Sequence, residues 1–368
     1  MNLFRVIKKY VPIYSIVLII LMIICAITHA FAVLNTRFAD IFNQRIASFF
    51  RLVLAKLTGW WPISFAEILI VSLPLIIIML VVLSVRFAKN SRVSGIRFLC
   101  GLFSVLTLFY SSFVLTFACG YRGASLESKL SLERAEVSVQ ELIATATVVA
   151  NEVDAMAKEV SYGDDHFSVM PYSFDELNNK LNEAYKNGAE KYKFIQPMKS
   201  KVKPVMLSEP MTYTHISGVY TYFTGEANVN INYPDYNIPF TMAHEMAHQR
   251  GIARENEANF VAFLICTESD DPYIRYSAYL NMLEYLASPL YSADKEAYRE
   301  IMKTVDINVR RELAAYSDFF DKYRDNVAAD VSGAVNNSYL ISQGQTDGTK
   351  SYGLVVDLAV AYYKTKPA

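Results

Sequence analysis

The chain has 368 residues, and its 35 basic and 36 acidic side chains give a net charge of −1. Hydrophobic residues make up 53% of it, which excludes an intrinsically disordered chain. Four cysteines are too few for a disulfide scaffold, and the absence of a basic tract with interleaved aromatic residues argues against a nucleic-acid partner.

The charge is distributed unevenly along the chain. Residues 1–119 contain 11 basic and two acidic side chains, a net charge of +9, whereas residues 120–368 carry a net charge of −10. A basic, apolar first part followed by an acidic, water-compatible second part predicts two domains. We place a membrane anchor at 1–121 and a second domain at 122–368.

Three segments lack Asp, Glu, Lys and Arg over 24, 18 and 24 residues: 11–34, 68–85 and 98–121. About 20 apolar residues are enough for a helix to cross a bilayer. We therefore predict transmembrane helices at about 11–34, 65–85 and 98–120, with the lipid bilayer as a partner. A cleaved secretory signal is the alternative for the first segment, because Ala30-Phe-Ala32 resembles a cleavage site.

The loops predict the orientation of these helices. The 86–97 connection contains four cations and no acid, and three more cations precede the first segment, so the positive-inside rule places both in the cytoplasm. The 35–64 loop and the second domain then lie outside. The 35–64 loop itself contains four cations, which is evidence against placing it outside. An amphipathic helix at about 41–57, followed by Trp60 and Trp61, is predicted to lie in the outer headgroup layer, where cations are tolerated.

The second domain has mainly helical patterns. Helices are predicted at 130–160 and, from the capping box Ser173-x-x-Glu176, at 173–192. Thr, Tyr, Val and Ile punctuated by glycine predict short strands within 206–231. Helical patterns then continue from 239 to about 326, a Gly- and Asn-containing loop is predicted at 336–351, and an apolar element follows at 355–363. The predicted class is α+β, dominated by helices, with one small sheet.

One motif carries chemistry, the H-E-x-x-H sequence of His244-Glu245-Met-Ala-His248. On a helix, residues i and i+4 share a face, so both imidazoles can bind one ion, and Zn²⁺ is the ion that this spacing favours. Glu245 lies about 100° around the helix from His244. It is predicted to act as the general base on a water at the metal.

A third protein ligand must come from downstream. Position 254, where one class of zinc protease has a third histidine, is Arg254, which leaves two carboxylates. Glu255 shares its helical face with Asn259 and other small or polar residues, so we favour Glu255 as the third ligand, and Asn259 could hydrogen-bond a ligand imidazole. Glu257, on a face with apolar neighbours, is the alternative ligand.

The motif and the residues after it resemble the gluzincin metalloprotease pattern, H-E-x-x-H followed by E-x-x-x-D. The resemblance implies a zinc-binding glutamate at Glu255 and a supporting residue at Asn259, where the usual residue is Asp. The chain also resembles an uncharacterised bacterial family with three N-terminal spans and an exported zincin-like domain. Tyr222–Asn230, His244–Phe263 and Ser351–Asp357 carry that similarity.

These resemblances imply further parts of a peptidase. Zincins hold extended peptide on a strand edge before the metal helix, and 218–231 stands in that place, although an ordinary strand is an equal alternative. An oxyanion donor is also needed. Tyr352, Tyr339 and His215 are candidates by residue type alone.

Together these features predict a peptidase of the bacterial cytoplasmic membrane. In this hypothesis a zinc-dependent domain, outside the membrane, hydrolyses peptide or protein substrates with Glu245 as base. The alternative is a non-catalytic, zinc-containing binding domain on the same anchor. A transporter is a third, weaker hypothesis, because Glu67 is the only acid near a membrane edge.

Overall fold

The computed structural model describes residues 8–133, 135–345, 348 and 354–366. Helices dominate this part of the chain, and its strands are short. Sixteen α-helices, α1 to α16, have the bounds Ile13–Leu34, Thr36–Ile41, Ser48–Gly59, Phe65–Asn90, Arg92–Thr116, Leu126–Leu130, Val139–Ala157, Phe174–Lys191, Ser208–Thr212, Asn237–Gln249, Glu255–Thr267, Pro272–Ala293, Lys295–Thr304, Ile307–Asp321, Val327–Ser342 and Val355–Lys364. Five strands, β1 to β5, have the bounds Ser161–Tyr162, Ser168–Val169, Lys203–Pro204, Gly218–Thr221 and Glu226–Val229.

The chain divides into two compact units. The first comprises Met1–Gly123 together with Thr221–Gly225, and the second comprises Ala124–Tyr220 and Glu226–Ala368. The assignment of Thr221–Gly225 to the first unit was not predicted, since this segment lies far along the chain, at the end of β4 and in the turn to β5.

Three helices of the first unit, α1, α4 and α5, are long and apolar enough to cross a membrane. Helices α1 and α5 pack through small and polar side chains, and the Ser104 hydroxyl donates to the Ser15 hydroxyl at 2.9 Å. Small residues at such an interface let two membrane helices approach closely. The outward faces of the three helices are apolar and exposed, as expected of a membrane protein.

The predicted amphipathic segment is helical, with a π-helical stretch at Phe42–Ala47 between α2 and α3. Its apolar residues Phe49 and Leu57 are exposed, as an interfacial helix requires. The cations of this segment were expected to lie among the lipid headgroups. The Arg51 side chain is instead fully buried in the protein. Its guanidinium donates to the Asn43 side chain at 2.8 Å and to the Thr116 carbonyl oxygen at 2.7 Å. It thereby satisfies a carbonyl at the end of α5.

The segment Thr221–Gly225 packs by aromatic contacts within the first unit. The Phe223 ring lies 5.2 Å from that of Phe109, and the Tyr222 ring lies 5.1 Å from that of Phe113, both centroid to centroid. The Thr116 hydroxyl also donates to the Tyr222 carbonyl oxygen at 3.2 Å.

The second unit has one large apolar core, to which α7, α8, α10, α11, α12 and α16 contribute. The predicted capping box at Ser173 and Glu176 is confirmed and opens α8 at Phe174. A second capping box, of Ser138 with Glu141, starts α7 at Val139, later than the predicted start at 130. The predicted loop at 336–351 is wrong in its first part, because α15 continues to Ser342. Burial of Leu340 explains the difference, since tertiary packing outweighs the turn-forming composition there.

A three-stranded sheet lies in the second unit in the order β3-β5-β4. Strand β3 runs parallel to β5, with Lys203 opposite Asn228. The buried side chains of Lys203 and Glu226 form an ion pair across these two strands. Strand β4 therefore stands at the outer side of this sheet within the described part of the chain. A two-stranded antiparallel sheet of β1 and β2 is separate from it.

Candidate metal site

Helix α10 carries the H-E-x-x-H motif into the core of the second unit. Its apolar residues, among them Phe240, Met242 and Met246, are almost completely buried, so packing fixes the helix on several sides. The helix ends where Gly251 takes a φ of +88°. The Gly251 amide then donates to the His248 carbonyl oxygen at 2.9 Å, and the Ile252 amide donates to that of Ala247 at 3.2 Å. This is a Schellman motif, which uses the glycine to turn the chain back towards the histidines.

The structure brings together His244, His248 and Glu255, whose potential ligand atoms lie within 4.8 Å of one another. The Glu255 Oε2 atom is 3.3 Å from the Nε2 atom of His244 and 3.4 Å from that of His248. Tetrahedral zinc, with ligands at about 2.0–2.2 Å, requires ligand atoms about 3.3–3.6 Å apart. The two distances from the Glu255 oxygen to the imidazole nitrogens therefore fit a zinc ion.

The Schellman turn also orients one imidazole. The His248 Nδ1 atom lies 2.7 Å from the Ile252 carbonyl oxygen. A carbonyl can only accept, so Nδ1 carries a proton, and Nε2 is the atom that faces the cluster and can bind a metal once it is deprotonated. Such a bond is the usual support of a metal-binding histidine.

Asn259 is buried one turn after Glu255, as expected from the sequence. Within the described residues, however, the His244 Nδ1 atom and the Asn259 Nδ2 atom are both buried without a hydrogen-bond partner. The predicted bond between Asn259 and an imidazole is thus not formed in this structure.

The charges of the three clustered side chains stabilise one another. Burial alone would raise the pKa of Glu255, but the two imidazoles hold it well below its usual range. Burial alone would lower the pKa of His248, but the Glu255 carboxylate raises it to about 9. The buried Glu255 carboxylate therefore stabilises positive charge beside it, whether on a protonated imidazole or on a metal ion.

Glu257, the alternative ligand, makes other contacts. Its Oε1 atom accepts from the Leu126 amide at 3.0 Å and from the Arg254 guanidinium at 2.6 Å. The Glu257 carboxylate thereby links α6, the first helix of the second unit, to α11. It is not part of the cluster of His244, His248 and Glu255. Its role in this structure is to satisfy two donors.

We expect the substitution Glu257→Gln to leave zinc binding unchanged and to lower stability. The substitution removes the negative charge that contacts Arg254 and leaves the Leu126 amide with a neutral acceptor. We expect the free energy of unfolding to fall by about 1–3 kcal/mol. Zinc content and thermal unfolding of the purified full-length protein measure the two effects. Loss of zinc without loss of stability would make Glu257 a ligand and contradict this assignment.

Glu245 lies beside the cluster in a buried position. Its carboxylate accepts from the Tyr220 amide of β4, and its Oε2 atom has no hydrogen-bond partner among the described residues. Burial raises the pKa of Glu245 to about 7, against the opposing effect of the two imidazoles. A carboxylate with a pKa near neutrality can take up and return a proton at physiological pH.

Gly218 makes room for this carboxylate at the start of β4. A Cβ atom at position 218 would lie 2.6 Å from the Glu245 Oε1 atom and 2.8 Å from a methyl carbon of Thr241. Only glycine permits the strand to lie this close to α10. The sequence analysis noted the glycine, but it did not predict that Gly218 contacts Glu245.

We expect Gly218→Ala to destabilise the protein by about 1–3 kcal/mol, because the added methyl group overpacks this contact. Zinc content should stay the same, since the three clustered side chains are untouched. Thermal unfolding and metal analysis of the full-length variant test this. An unchanged melting temperature would show that β4 is not held against Glu245.

The outer side of α10 is held by residues that the sequence did not single out. The buried Arg250 guanidinium lies 3.9 Å over the Tyr185 ring centroid and donates to the Met198 carbonyl oxygen at 2.6 Å. The Tyr185 hydroxyl donates to the Ala243 carbonyl oxygen at 2.5 Å. These contacts fix the turn of helix that presents His244.

The three candidate oxyanion donors lie in different surroundings. The His215 Nε2 atom contacts the Tyr323 carbonyl oxygen at 2.6 Å, and its ring packs on Phe320. Tyr339 is a partly exposed residue of α15. Among the described residues, the His–His–Glu cluster contains neither of these two. Tyr352 lies outside the described residues.

The chain matches a family of proteins over most of its length. Residues 38–360 match a family model described as "Protein of unknown function (DUF3810)". No curated protein and no solved structure matches the chain.

Proposed function

We propose a function for this chain, which belongs to the DUF3810 family, from the chemistry of its own site: a membrane-anchored, zinc-dependent peptidase. The observation that carries the proposal is the placing of Glu245 beside His244, His248 and Glu255. A structural zinc site needs only its ligands. A further buried carboxylate with an unpartnered oxygen, such as that of Glu245, lowers the stability of the fold, which suggests that it has a function.

His244, His248 and Glu255 would hold the ion. A zinc ion there would polarise a substrate carbonyl and lower the pKa of water. Glu245 accepts the proton of the attacking water and then delivers it to the amine that leaves. The Tyr220 amide holds one oxygen of Glu245, and the unpartnered oxygen is the one available to the water.

The position of strand β4 supports the proposal that the substrate is a peptide. The strand stands at the outer side of its sheet, and Gly218 places it directly against Glu245. An extended peptide can pair with such a strand through main-chain hydrogen bonds. A peptide bound there would run beside the proposed base.

The proposed site of action is outside the cytoplasmic membrane of a bacterium. The support is the run of cations Arg86, Lys89, Arg92 and Arg97 between the second and third apolar helices, which favours a cytoplasmic connection. An odd number of spans then exports the second unit. A phosphatase reporter fused after Ala368 should be active, and a β-galactosidase fusion at the same point should be inactive. The reverse pattern would place the site in the cytoplasm.

The activity is tested on the full-length protein purified in detergent. We expect it to bind about one zinc ion and to cleave members of a broad peptide library, with cleavage abolished by a chelator and restored by zinc. A folded, zinc-loaded protein that cleaves no member of the library would instead support the alternative, a non-catalytic binding domain that contains zinc.

A further inference from the structure

Glu284 of α12 is a carboxylate that the proposed reaction does not use. It is partly exposed and has no ion-pair partner among the residues that the structure describes. The Tyr236 hydroxyl donates to its Oε1 atom at 3.2 Å. Burial raises the pKa of Glu284 to about 8, and the charge of Glu312 adds to this rise. An acid kept in such surroundings without a cation is typical of a functional site.

Asn237 presents a second acceptor on the facing helix. Its side chain is 6% exposed, and its Nδ2 atom lies 3.5 Å from the Asn281 Oδ1 atom. The Asn237 Oδ1 atom is buried without a hydrogen-bond partner in the described part of the chain. A buried acceptor without a donor costs about 1–3 kcal/mol, which a ligand that donates would recover.

The two acceptors belong to residues that lie in the contact between α10 and α12. Tyr236 and Asn237 are adjacent at the start of α10, and they contact Glu284 and Asn281, which are one turn apart on α12. An ammonium group has three donors and one positive charge. It matches one carboxylate together with one amide oxygen.

One of the acceptor residues, Asn237, lies on the same helix as the proposed metal site. Asn237 and His244 are seven residues apart on α10, which places them on the same face and about 10 Å apart along the axis. On α12, the Tyr285 ring packs 6.3 Å from that of Phe240. Burial raises the pKa of Tyr285, and the charges of Glu284 and Glu255 raise it further.

We propose that Glu284 and Asn237 form a subsite for an ammonium group of the substrate, either a peptide N-terminus or a lysine side chain. This inference rests on the proposed peptidase function and assigns that function a substrate class. A distance of about 10 Å corresponds to about three residues of extended peptide, so the cation stands about three residues from the bond that is cut.

The test uses the full-length protein and peptides in which a single lysine is moved along the sequence. Each peptide is compared with its acetyl-lysine twin, and each is made with a free and with an acetylated N-terminus, which separates the two sources of the ammonium group. The wild type should prefer the cationic peptide by about 10- to 100-fold in kcat/KM at one position. Glu284→Gln should lose this preference and still cleave the neutral twin at the wild-type rate. Glu296→Gln, at an exposed site, should keep it.

Binding of the same peptides to the Glu245→Gln protein, measured by calorimetry, separates this inference from the proposed function. A charge preference in binding that Glu284→Gln abolishes supports the subsite even if no peptide is cut. Cleavage without a charge preference, or a preference that persists in Glu284→Gln with normal zinc content, overturns the subsite and leaves the peptidase proposal standing.

Discussion

The Glu245→Gln protein should bind zinc as the wild type does and lose its peptidase activity. The amide has nearly the shape of the carboxylate and cannot accept the proton of the attacking water. General-base catalysis contributes about 10²–10⁴-fold, so kcat should fall by that factor while KM changes little. Steady-state kinetics on a peptide from the library, beside metal analysis of the same sample, measure both quantities.

The matched control for this variant is Glu257→Gln. It makes the same chemical change in a buried carboxylate of the same region, but this carboxylate faces the Leu126 amide and Arg254. Cleavage per zinc-loaded molecule should therefore stay near the wild-type value. Equal activity in Glu245→Gln and the wild type would exclude Glu245 as the base.

The His244→Ala and Glu255→Ala proteins should each lose zinc. Supporting residues around metal ligands alone change affinity by about 10- to 100-fold, and removal of a ligand should exceed that. The wild type should also gain about 2.7 kcal/mol of stability at a zinc concentration 100 times the dissociation constant. Thermal unfolding with and without zinc measures this gain, which both variants should lack.

A separate outcome would contradict this assignment of ligands. If Glu255→Ala kept the zinc affinity and the thermal shift of the wild type, the third ligand would have to be another residue. Loss of the folded state would be visible as a lower melting temperature already without zinc. His244→Ala serves as the internal comparison, since it removes an imidazole ligand and leaves the Glu255 carboxylate in place.

The elements that sequence reasoning predicted well have local causes. Uncharged runs of the right length predict helices long enough to span a bilayer, because the bilayer sets that length. The capping box at Ser173 fixes the start of a helix from four residues. The one-turn spacing of His244 and His248 places both imidazoles on one face whatever the rest of the fold does.

Features that depend on distant residues could not be predicted in the same way. The choice between Glu255 and Glu257 depends on where Leu126 and Arg254 lie, and 131 residues separate Leu126 from Glu257. Gly218 could be recognised as a turn or strand glycine, but its contact with Glu245 comes from packing of β4 on α10. The burial of Arg51 and the packing of Thr221–Gly225 with the first unit are tertiary features of the same kind.

X-ray absorption at the zinc edge tests the central claim most directly. For the full-length wild-type protein, the account predicts zinc with nitrogen and oxygen ligands only, at about 2.0–2.2 Å, including two imidazoles. His248→Ala should lower the imidazole signal by about half or remove the metal. A wild-type protein that keeps its fold and binds no zinc, or zinc bound through sulfur, would contradict the account.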